Sequence, residues 1–358
     1  MTPPKRLSFP GISSRGKSLC LFLVGFAVFF SLRGFAVNGG DTPALLDPKH
    51  PTYQIRWEEP FVFNYREPLA NLLVLKVFHA TGDLTLAFEL VSSFCGGLWL
   101  ALLLRFRGSA LFWAANLLSA VTLVFVGHKE LYAPAVVTLT LYLLVLMAAL
   151  RPRPAAKPWH VVAAWGLAFL THKMALFYAP GMLLLLLDPA TRRLRALPRR
   201  DMEKALVALV LIALLLQIPA WLEILGLRVV SVIFFDNRVL ELLTLPKCWA
   251  DPVAEASEMG AFQLFYFGSL DHFKFYFGFW LMGAPVGLIL IAAKWRTALS
   301  VKNLPLFCCC FLSLTWTFFW HPHMGWYDWD LFCTAAVPVN LLGGLLFSEG
   351  TAKNARNG

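Results

Sequence analysis

The stretch LTLAFELVSSFCGGLWLALLLRFRG, residues 84–108, decides the fold, because a long apolar run ends in two arginines. A helix of roughly 20 apolar residues crosses the hydrocarbon core of a membrane, which is about 30 Å thick. Similar runs recur along the chain, which is 58% hydrophobic and 15% charged. A backbone in lipid has to satisfy its own hydrogen bonds, and these Leu-, Ala- and Phe-rich runs favour helices. The sequence therefore predicts an all-α, polytopic integral membrane protein.

The apolar runs predict about ten transmembrane helices. They lie at residues 19–38, 84–104, 109–126, 133–150, 159–172, 174–187, 205–225, 272–293, 304–320 and 332–347. We expect residues 1–358 to form a single transmembrane domain, because no internal repeat or soluble domain is visible. The basic N-terminus and first run resemble a signal peptide, but no clear small-residue cleavage site follows. We interpret this run as an uncleaved first span.

Positive charge is concentrated in four connections between the predicted spans. They are RFRG (105–108), RPRPAAKP (151–158), DPATRRLRALPRRDMEK (188–204) and KWRTALSVKN (294–303). Lys and Arg accumulate on the cytoplasmic side of membrane proteins, so we place these connections and both termini there. The formal net charge of +10 then reflects membrane orientation. Nucleic acid is not expected as a partner, whereas membrane lipids are.

The opposite, non-cytoplasmic face receives the remaining connections. The first outer loop, residues 39–83, contains the segment 67–83, which is apolar on one face and interrupted by Lys76 and His79. This pattern predicts an amphipathic helix at the interface or the start of a tilted span. A second outer loop, residues 226–271, is too long for a simple turn and is expected to carry interfacial helices.

No metal or disulfide framework is indicated by the seven cysteines. Cys308, Cys309 and Cys310 are consecutive within an apolar run, where they are interpreted as small buried side chains. No spacing typical of a zinc site is present. The sequence specifies no cofactor and no metal ligand, although a divalent cation is compatible with the outer acidic residues.

Two outer connections carry carboxylates close to the ends of spans. Asp41 lies in VNGGDTPALLD, directly after the first span, and can be interpreted either as a loop acid that caps a short helix or as a functional group. GHKELYAP (127–134) places His128, Lys129 and Glu130 together. This turn is interpreted equally well as an ordinary polar turn or as a group that orients a cation or a substrate hydroxyl.

Cations on the same face are candidates for binding an anionic headgroup. THK (171–173) places His172 and Lys173 at an outer helix end, and Arg66 lies in NYREPL. Arginine binds phosphate through its bidentate fork, and lysine acts as a point charge. The alternative for the lysines is simple extension of the side chain to the membrane interface.

HPHMGWYDWDLF, residues 321–332, combines histidines, acids and aromatic rings between two apolar runs. The candidates are His321, His323, Trp326, Tyr327, Asp328, Trp329 and Asp330. The rings by themselves are typical of an interfacial aromatic belt, but a belt does not explain the two acids. We expect one acid to cap the last span and the other to bind hydroxyls, a cation or a basic partner.

These motifs resemble the C-type glycosyltransferases of the GT-C superfamily, in particular its bacterial members. The resemblance rests on GGDTPALL after the first span, YREPL, GHKELY in an outer turn, and DWDLF at the start of the last span. Members take sugars from polyprenyl-phosphate carriers on the non-cytoplasmic face. The acidic pair usual at the first motif is absent, since Gly40 and Thr42 flank Asp41.

The resemblance implies a cell-envelope transferase in the bacterial inner membrane with a periplasmic active site. The catalytic candidates are Asp41, Glu130, Asp328 and Asp330, with Asp41 as the base. The substrate-binding candidates are Arg66, His128, Lys129, His172, Lys173, His321, His323, Trp326, Tyr327 and Trp329. The expected partners are a polyprenyl-phosphate-linked sugar donor and a lipid, glycan or protein acceptor, with inversion at the transferred sugar.

The main alternative function is a transporter or a lipid or glycolipid flippase. Transporters usually place polar groups and broken helices near the middle of the bilayer, and many consist of repeated halves. Here the acids lie at the predicted outer interface, and no repeated halves are visible. A noncatalytic scaffold gives no reason for acids and histidines to share one face, so we favour the transferase.

Overall fold

The computed structural model describes residues 14–37, 42–46, 67–106, 108–150, 155–186, 197–224, 270–300, 303–319 and 329–348. All regular structure in these ranges is helical, which confirms the predicted all-α class. The α-helices are α1 (Ser14–Ser31), α2 (Thr42–Leu46), α3 (Pro68–Thr81), α4 (Leu84–Leu103), α5 (Ala110–Leu117), α6 (Tyr132–Ala149), α7 (Pro158–Thr171), α8 (Arg199–Ile224), α9 (Leu270–Gly283), α10 (Pro285–Ala293), α11 (Trp295–Ala298), α12 (Leu304–Phe319), α13 (Trp329–Ala335) and α14 (Val337–Leu346). Short 3₁₀ helices lie at Arg33–Phe35, Leu104–Phe106 and Ala120–Phe125, and a longer one at Lys173–Leu186.

Among the described residues, two helices are long and apolar enough to cross a membrane, and up to four spans result if each bent helix pair counts as one. The two are Leu84–Phe106 and Tyr132–Ala149, and the bent pairs are Phe273–Gly283 with Pro285–Ala293 and Trp329–Ala335 with Val337–Leu346. The helical, apolar architecture of a membrane protein is therefore present in the described residues. The count of about ten spans stays a prediction.

Helices α1 and α4 pack closely through glycines. A Cβ atom on Gly97 would lie 2.6 Å from the carbonyl oxygen of Phe22, and one on Gly96 would lie 2.4 Å from the ring of Phe29. Neither position can accept a larger side chain without moving α1. Small residues allow helix backbones to approach closely in membrane proteins, where packing replaces the hydrophobic effect. This contact holds α1 against α4.

The run predicted as one span at 109–126 is divided into α5 and the 3₁₀ helix Ala120–Phe125. Side chains bond to backbone carbonyls at the break: Ser119 Oγ and Thr122 Oγ1 both donate to the carbonyl of Asn116, at 2.6 and 3.3 Å. Ser and Thr side chains can replace the backbone hydrogen bonds of a helix. The carbonyl of Asn116 is therefore hydrogen-bonded even though the α-helix ends here. The average hydropathy of the run does not reveal this break.

The run predicted at 272–293 is likewise broken, with a bend of 88° between α9 and α10. Pro285 lacks a backbone N–H and therefore cannot continue α9. Asn340 Nδ2 donates to the carbonyl of Gly283, 2.9 Å away, and so satisfies a group at the end of α9. The bend brings Gly287 against Gly343, where a Cβ atom on Gly343 would lie 2.5 Å from the carbonyl oxygen of Gly287.

Helix α3 buries one face and exposes the other. Ala70, Val74 and Leu75 are buried, whereas Lys76 and His79 are exposed. The amphipathic helix at a membrane interface that the sequence pattern indicated for this segment stays a prediction. The predicted outer loop 226–271 lies outside the described residues except for its last two positions, which begin α9.

Candidate functional site

His128 lies at the centre of a buried polar cluster that joins three distant parts of the chain. It follows Gly127, whose φ of +68° forms the turn before α6. His128 Nδ1 lies 2.8 Å from the backbone carbonyl of Val37, and Nε2 lies 2.9 Å from Asp330 Oδ2. A carbonyl oxygen only accepts hydrogen bonds, so Nδ1 carries the proton and donates to Val37. Nε2 is therefore the ring nitrogen whose lone pair is available to bind a proton or a metal ion.

Asp330 enters the cluster from the first turn of α13. Its Oδ1 accepts a hydrogen bond of 2.8 Å from the backbone N–H of Leu331, which leaves Oδ2 directed at His128. The side chains of His128 and Asp330 are only 1% and 3% exposed. A carboxylate that is this deeply buried needs a compensating positive charge or strong hydrogen-bond donors. The ring of Trp329 lies beside the pair, with its centroid 5.2 Å from that of His128.

Glu130 completes the cluster and bonds to the start of α2. Its Oε1 accepts hydrogen bonds from both the backbone N–H and the side-chain hydroxyl of Thr42, each at 3.1 Å. Glu130 is 5% exposed and Thr42 is 6% exposed. A carboxylate that accepts from the first N–H of a helix stabilises the helix start. Residues 38–41 therefore connect two residues, Val37 and Thr42, that are both held by the cluster.

His128, Glu130 and Asp330 have the composition and spacing of a metal site. Each offers one ligand atom, and the three atoms lie within 4.8 Å of one another. Imidazole nitrogen and carboxylate oxygen are common ligands of first-row divalent ions. The arrangement can thus hold a divalent cation between residues of the second and last predicted outer connections, next to Thr42 of the first.

A second buried histidine and carboxylate lie nearby, but here the ring has the opposite tautomer. His172 Nδ1 accepts a 3.0 Å hydrogen bond from the backbone N–H of Met174, so Nε2 carries the proton in the neutral ring. Nε2 lies 3.1 Å from Glu67 Oε1, but among the described residues it has no well-aligned hydrogen-bond acceptor. The ring of Tyr132 packs on that of His172, with centroids 5.1 Å apart.

Two cations share one acid beside the cluster. Arg33 Nε lies 3.2 Å from Glu89 Oε2, and Lys129 Nζ lies 3.9 Å from Glu89 Oε1. Glu89 is 14% exposed, whereas Arg33 is 40% exposed. Glu89 thereby orients both cations at the same end of the bundle as His128. The lone acid of α4 was a detectable signal, because a carboxylate inside an apolar helix is costly without partners.

The candidates from the sequence fall into two groups. The structure describes His128, Lys129, Glu130, His172, Lys173, Trp329 and Asp330, and it brings His128, Glu130 and Asp330 into one cluster. Trp329 is buried against His128, and Lys173 is half-buried at the start of its 3₁₀ helix. The candidates Asp41, Arg66, His321, His323, Trp326, Tyr327 and Asp328 lie outside the described residues.

Three residues that contact these candidates were not predicted from the sequence: Thr42, Glu67 and Glu89. Thr42 and Glu67 were visible only as neighbours of the candidates Asp41 and Arg66, and a single sequence does not show that they meet Glu130 and His172. Comparisons of the chain with protein-family profiles, with curated proteins and with solved structures found no match.

Proposed function

We propose that this protein is a membrane glycosyltransferase of about ten spans that moves a sugar from a polyprenyl-phosphate carrier to an acceptor hydroxyl at the non-cytoplasmic face. One observation carries the proposal: the cluster holds both residues that flank the segment 38–41. His128 donates to Val37, and Glu130 accepts from Thr42. Asp41, the preferred catalytic base, is bonded directly to Thr42 in the chain. In this proposal, acids from three predicted outer connections serve one site.

The reaction requires one base and a means of stabilising the leaving phosphate. The acceptor oxygen forms a bond to the anomeric carbon of the sugar while the bond from that carbon to the phosphate oxygen breaks. The hydroxyl proton passes to Asp41, and the carrier leaves as polyprenyl phosphate. Attack from the face opposite the leaving group inverts the anomeric carbon. Sugar transfer of this kind passes through an oxocarbenium-like transition state, for which nearby carboxylates are favourable.

The remaining candidates have distinct roles in this proposal. Glu130 and Asp330 orient the sugar or the acceptor, and Arg66, Lys129 and Lys173 bind the phosphate. The contact between Lys129 and Glu89 supports this role, since it keeps the ammonium group beside the cluster. The prenyl chain stays in lipid between helices. The basic connections on the other side support a site on the non-cytoplasmic face. Location in the bacterial inner membrane is proposed from the resemblance alone.

The test compares Asp41→Asn with Asp47→Asn, a matched carboxylate change in the same loop at a residue to which the proposal gives no role. Each purified full-length protein is incubated in detergent with labelled polyprenyl-phosphate sugars and native membrane extract, and label that leaves the carrier is measured. We expect the wild type and Asp47→Asn to transfer label, and Asp41→Asn to be slower by ~10²- to 10⁴-fold, the usual contribution of a general base.

Two results would contradict the proposal. A correctly folded Asp41→Asn variant that transfers label at the wild-type rate removes Asp41 from the chemistry. Movement of an intact labelled donor across reconstituted vesicles, with no transfer of its sugar, identifies a flippase instead.

A further inference from the structure

The contact between His128 and Asp330 places two hydrogen-bond acceptors against each other. The carbonyl of Val37 accepts a hydrogen bond from the N–H at Nδ1, so the neutral ring presents a lone pair at Nε2. An ionised Asp330 also presents only lone pairs, and its Oδ2 lies 2.9 Å from Nε2. Two acceptors at this distance repel unless a positive charge lies between them. The contact therefore requires either a proton or a metal ion.

Glu130 decides between these two in favour of a metal. A proton shared by His128 and Asp330 involves only these two groups. A divalent ion can take one ligand atom from each of the three residues, because these atoms all lie within 4.8 Å of one another. The position of the Glu130 carboxylate beside the other two groups therefore favours a metal ion.

The distances fit a metal centre. Two ligands at right angles, each about 2.1 Å from an ion, lie about 3.0 Å apart, which matches the separation of His128 Nε2 and Asp330 Oδ2. The largest separation among the three ligand atoms is at most 4.8 Å. Ligands on opposite sides of an ion lie about 4.2 Å apart, so side-chain adjustments of a few tenths of an ångström are sufficient.

Each of the three ligands also has a second partner that fixes its direction. The carbonyl of Val37 holds the His128 ring, the N–H of Leu331 holds Asp330, and Thr42 holds Glu130. Metal-binding histidines almost always donate their other N–H to a carbonyl, a carboxylate or a water molecule, which is the arrangement here. Two of these partners, Val37 and Thr42, lie on either side of residues 38–41 in the chain.

We propose that His128, Glu130 and Asp330 bind one first-row divalent ion, Mn²⁺ or Zn²⁺, through His128 Nε2 and one oxygen of each carboxylate. One imidazole with two carboxylates suits these ions better than Ca²⁺ or Mg²⁺, which prefer oxygen ligands alone, and better than Cu⁺, which prefers sulfur. The inference does not depend on glycosyl transfer, because it follows from the charge and geometry of the cluster.

The experiment measures metal binding by the purified full-length protein in detergent. The protein is treated with a chelator, dialysed and titrated separately with Mn²⁺, followed by electron paramagnetic resonance, and with Zn²⁺, followed by calorimetry. We expect one ion per chain for at least one of the two metals. At a free-metal concentration ~100 times the Kd, the unfolding temperature should rise by at least about 2 °C.

Asp330→Asn separates metal binding from folding. An asparagine can keep the Oδ1 bond to the Leu331 N–H and direct Nδ2 at His128, so a hydrogen bond replaces the repulsion between two acceptors. We expect this variant to fold without metal and to bind metal at least about 100-fold more weakly, because it lacks a direct ligand. Glu130→Gln should weaken binding similarly. Glu67→Gln, at the second buried pair, is the control and should bind like the wild type.

The inference is overturned if neither Mn²⁺ nor Zn²⁺ binds to the wild type, since the contact then holds a proton. It is also overturned if Asp330→Asn and Glu130→Gln bind the ion as tightly as the Glu67→Gln control. Because the readout is binding, absence of glycosyl transfer leaves this result unaffected, and the two proposals can fail separately.

Discussion

The two buried pairs, His128 with Asp330 and His172 with Glu67, show how the partner of one ring nitrogen changes the use of the other. Their nitrogen-to-oxygen distances are similar, 2.9 and 3.1 Å, and all four side chains are at least nine-tenths buried. The carbonyl of Val37 makes His128 present a lone pair, whereas the N–H of Met174 makes His172 present a proton.

This difference separates a candidate site from a contact between helix ends. A neutral His172 already offers an N–H to Glu67, so its pairing needs no additional cation. His128 and Asp330 do need one, and Glu130 lies close enough to share it. Distance and burial therefore do not distinguish the two pairs, and the backbone partner of Nδ1 does.

The largest expected effect is on stability. His128→Ala leaves the carbonyl of Val37 without its donor and Asp330 buried without its partner, so we expect a loss of about 3–5 kcal/mol. His172→Ala removes a poorly aligned contact, and a loss of about 1–3 kcal/mol is expected. Reversible unfolding in mixed micelles measures both. Equal losses would show that the two pairs are energetically equivalent.

The next effect is on activity. Glu130→Gln should slow sugar transfer by about 100-fold, because it removes a charge beside the proposed reacting groups. Glu67→Gln is the matched acid-to-amide change at the other pair, and its transfer rate should stay within about threefold of the wild type. The label-transfer assay described above gives both rates. A larger loss of transfer rate in Glu67→Gln than in Glu130→Gln would assign the chemistry to His172 and Glu67 and contradict the proposed site.

A smaller effect is expected at the turn that presents His128. Gly127 has a φ of +68°, and a Cβ there would lie 2.8 Å from the Cα of Arg33. Gly82 has a similar φ of +72°, but its Cβ position is open. Gly82→Ala should cost about 1 kcal/mol from backbone strain alone, and Gly127→Ala about 1–2 kcal/mol more because the backbone of Arg33 must move. Thermal unfolding should give similar values for both variants if this approach of Gly127 to Arg33 is unimportant.

The final prediction concerns the tautomers of the two histidines, which NMR of protein with ¹⁵N-labelled histidine reports directly. When metal is bound, His172 should show a protonated Nε2 and His128 a protonated Nδ1. Metal removal should shift the His128 signals and leave those of His172 in place, and His128→Gln and His172→Gln variants assign the two sets. A shift of both histidines would mean that the ion contacts both pairs.

The sequence predicted the individual helices better than the breaks between them. The runs 84–104, 133–150 and 304–320 correspond to α4, α6 and α12 within about one residue at each end. The runs 109–126 and 272–293 are each divided, since Ser119, Thr122 and Asn340 bond to backbone carbonyls at the breaks. An apolar average over a window does not register these bonds.

The sequence by itself determined the helical class and the residue types of the candidate site. Apolar run length is a local property, and the acids and histidines between runs are visible without any fold. Only the tertiary structure decided which of them meet. His128 and Asp330 are 202 residues apart, and Thr42 and Glu130 are 88 apart, so their contacts depend on the packing of helices distant in the chain. The tautomer of His128 depends on the same packing, because its second partner is the carbonyl of Val37, 91 residues away in the chain.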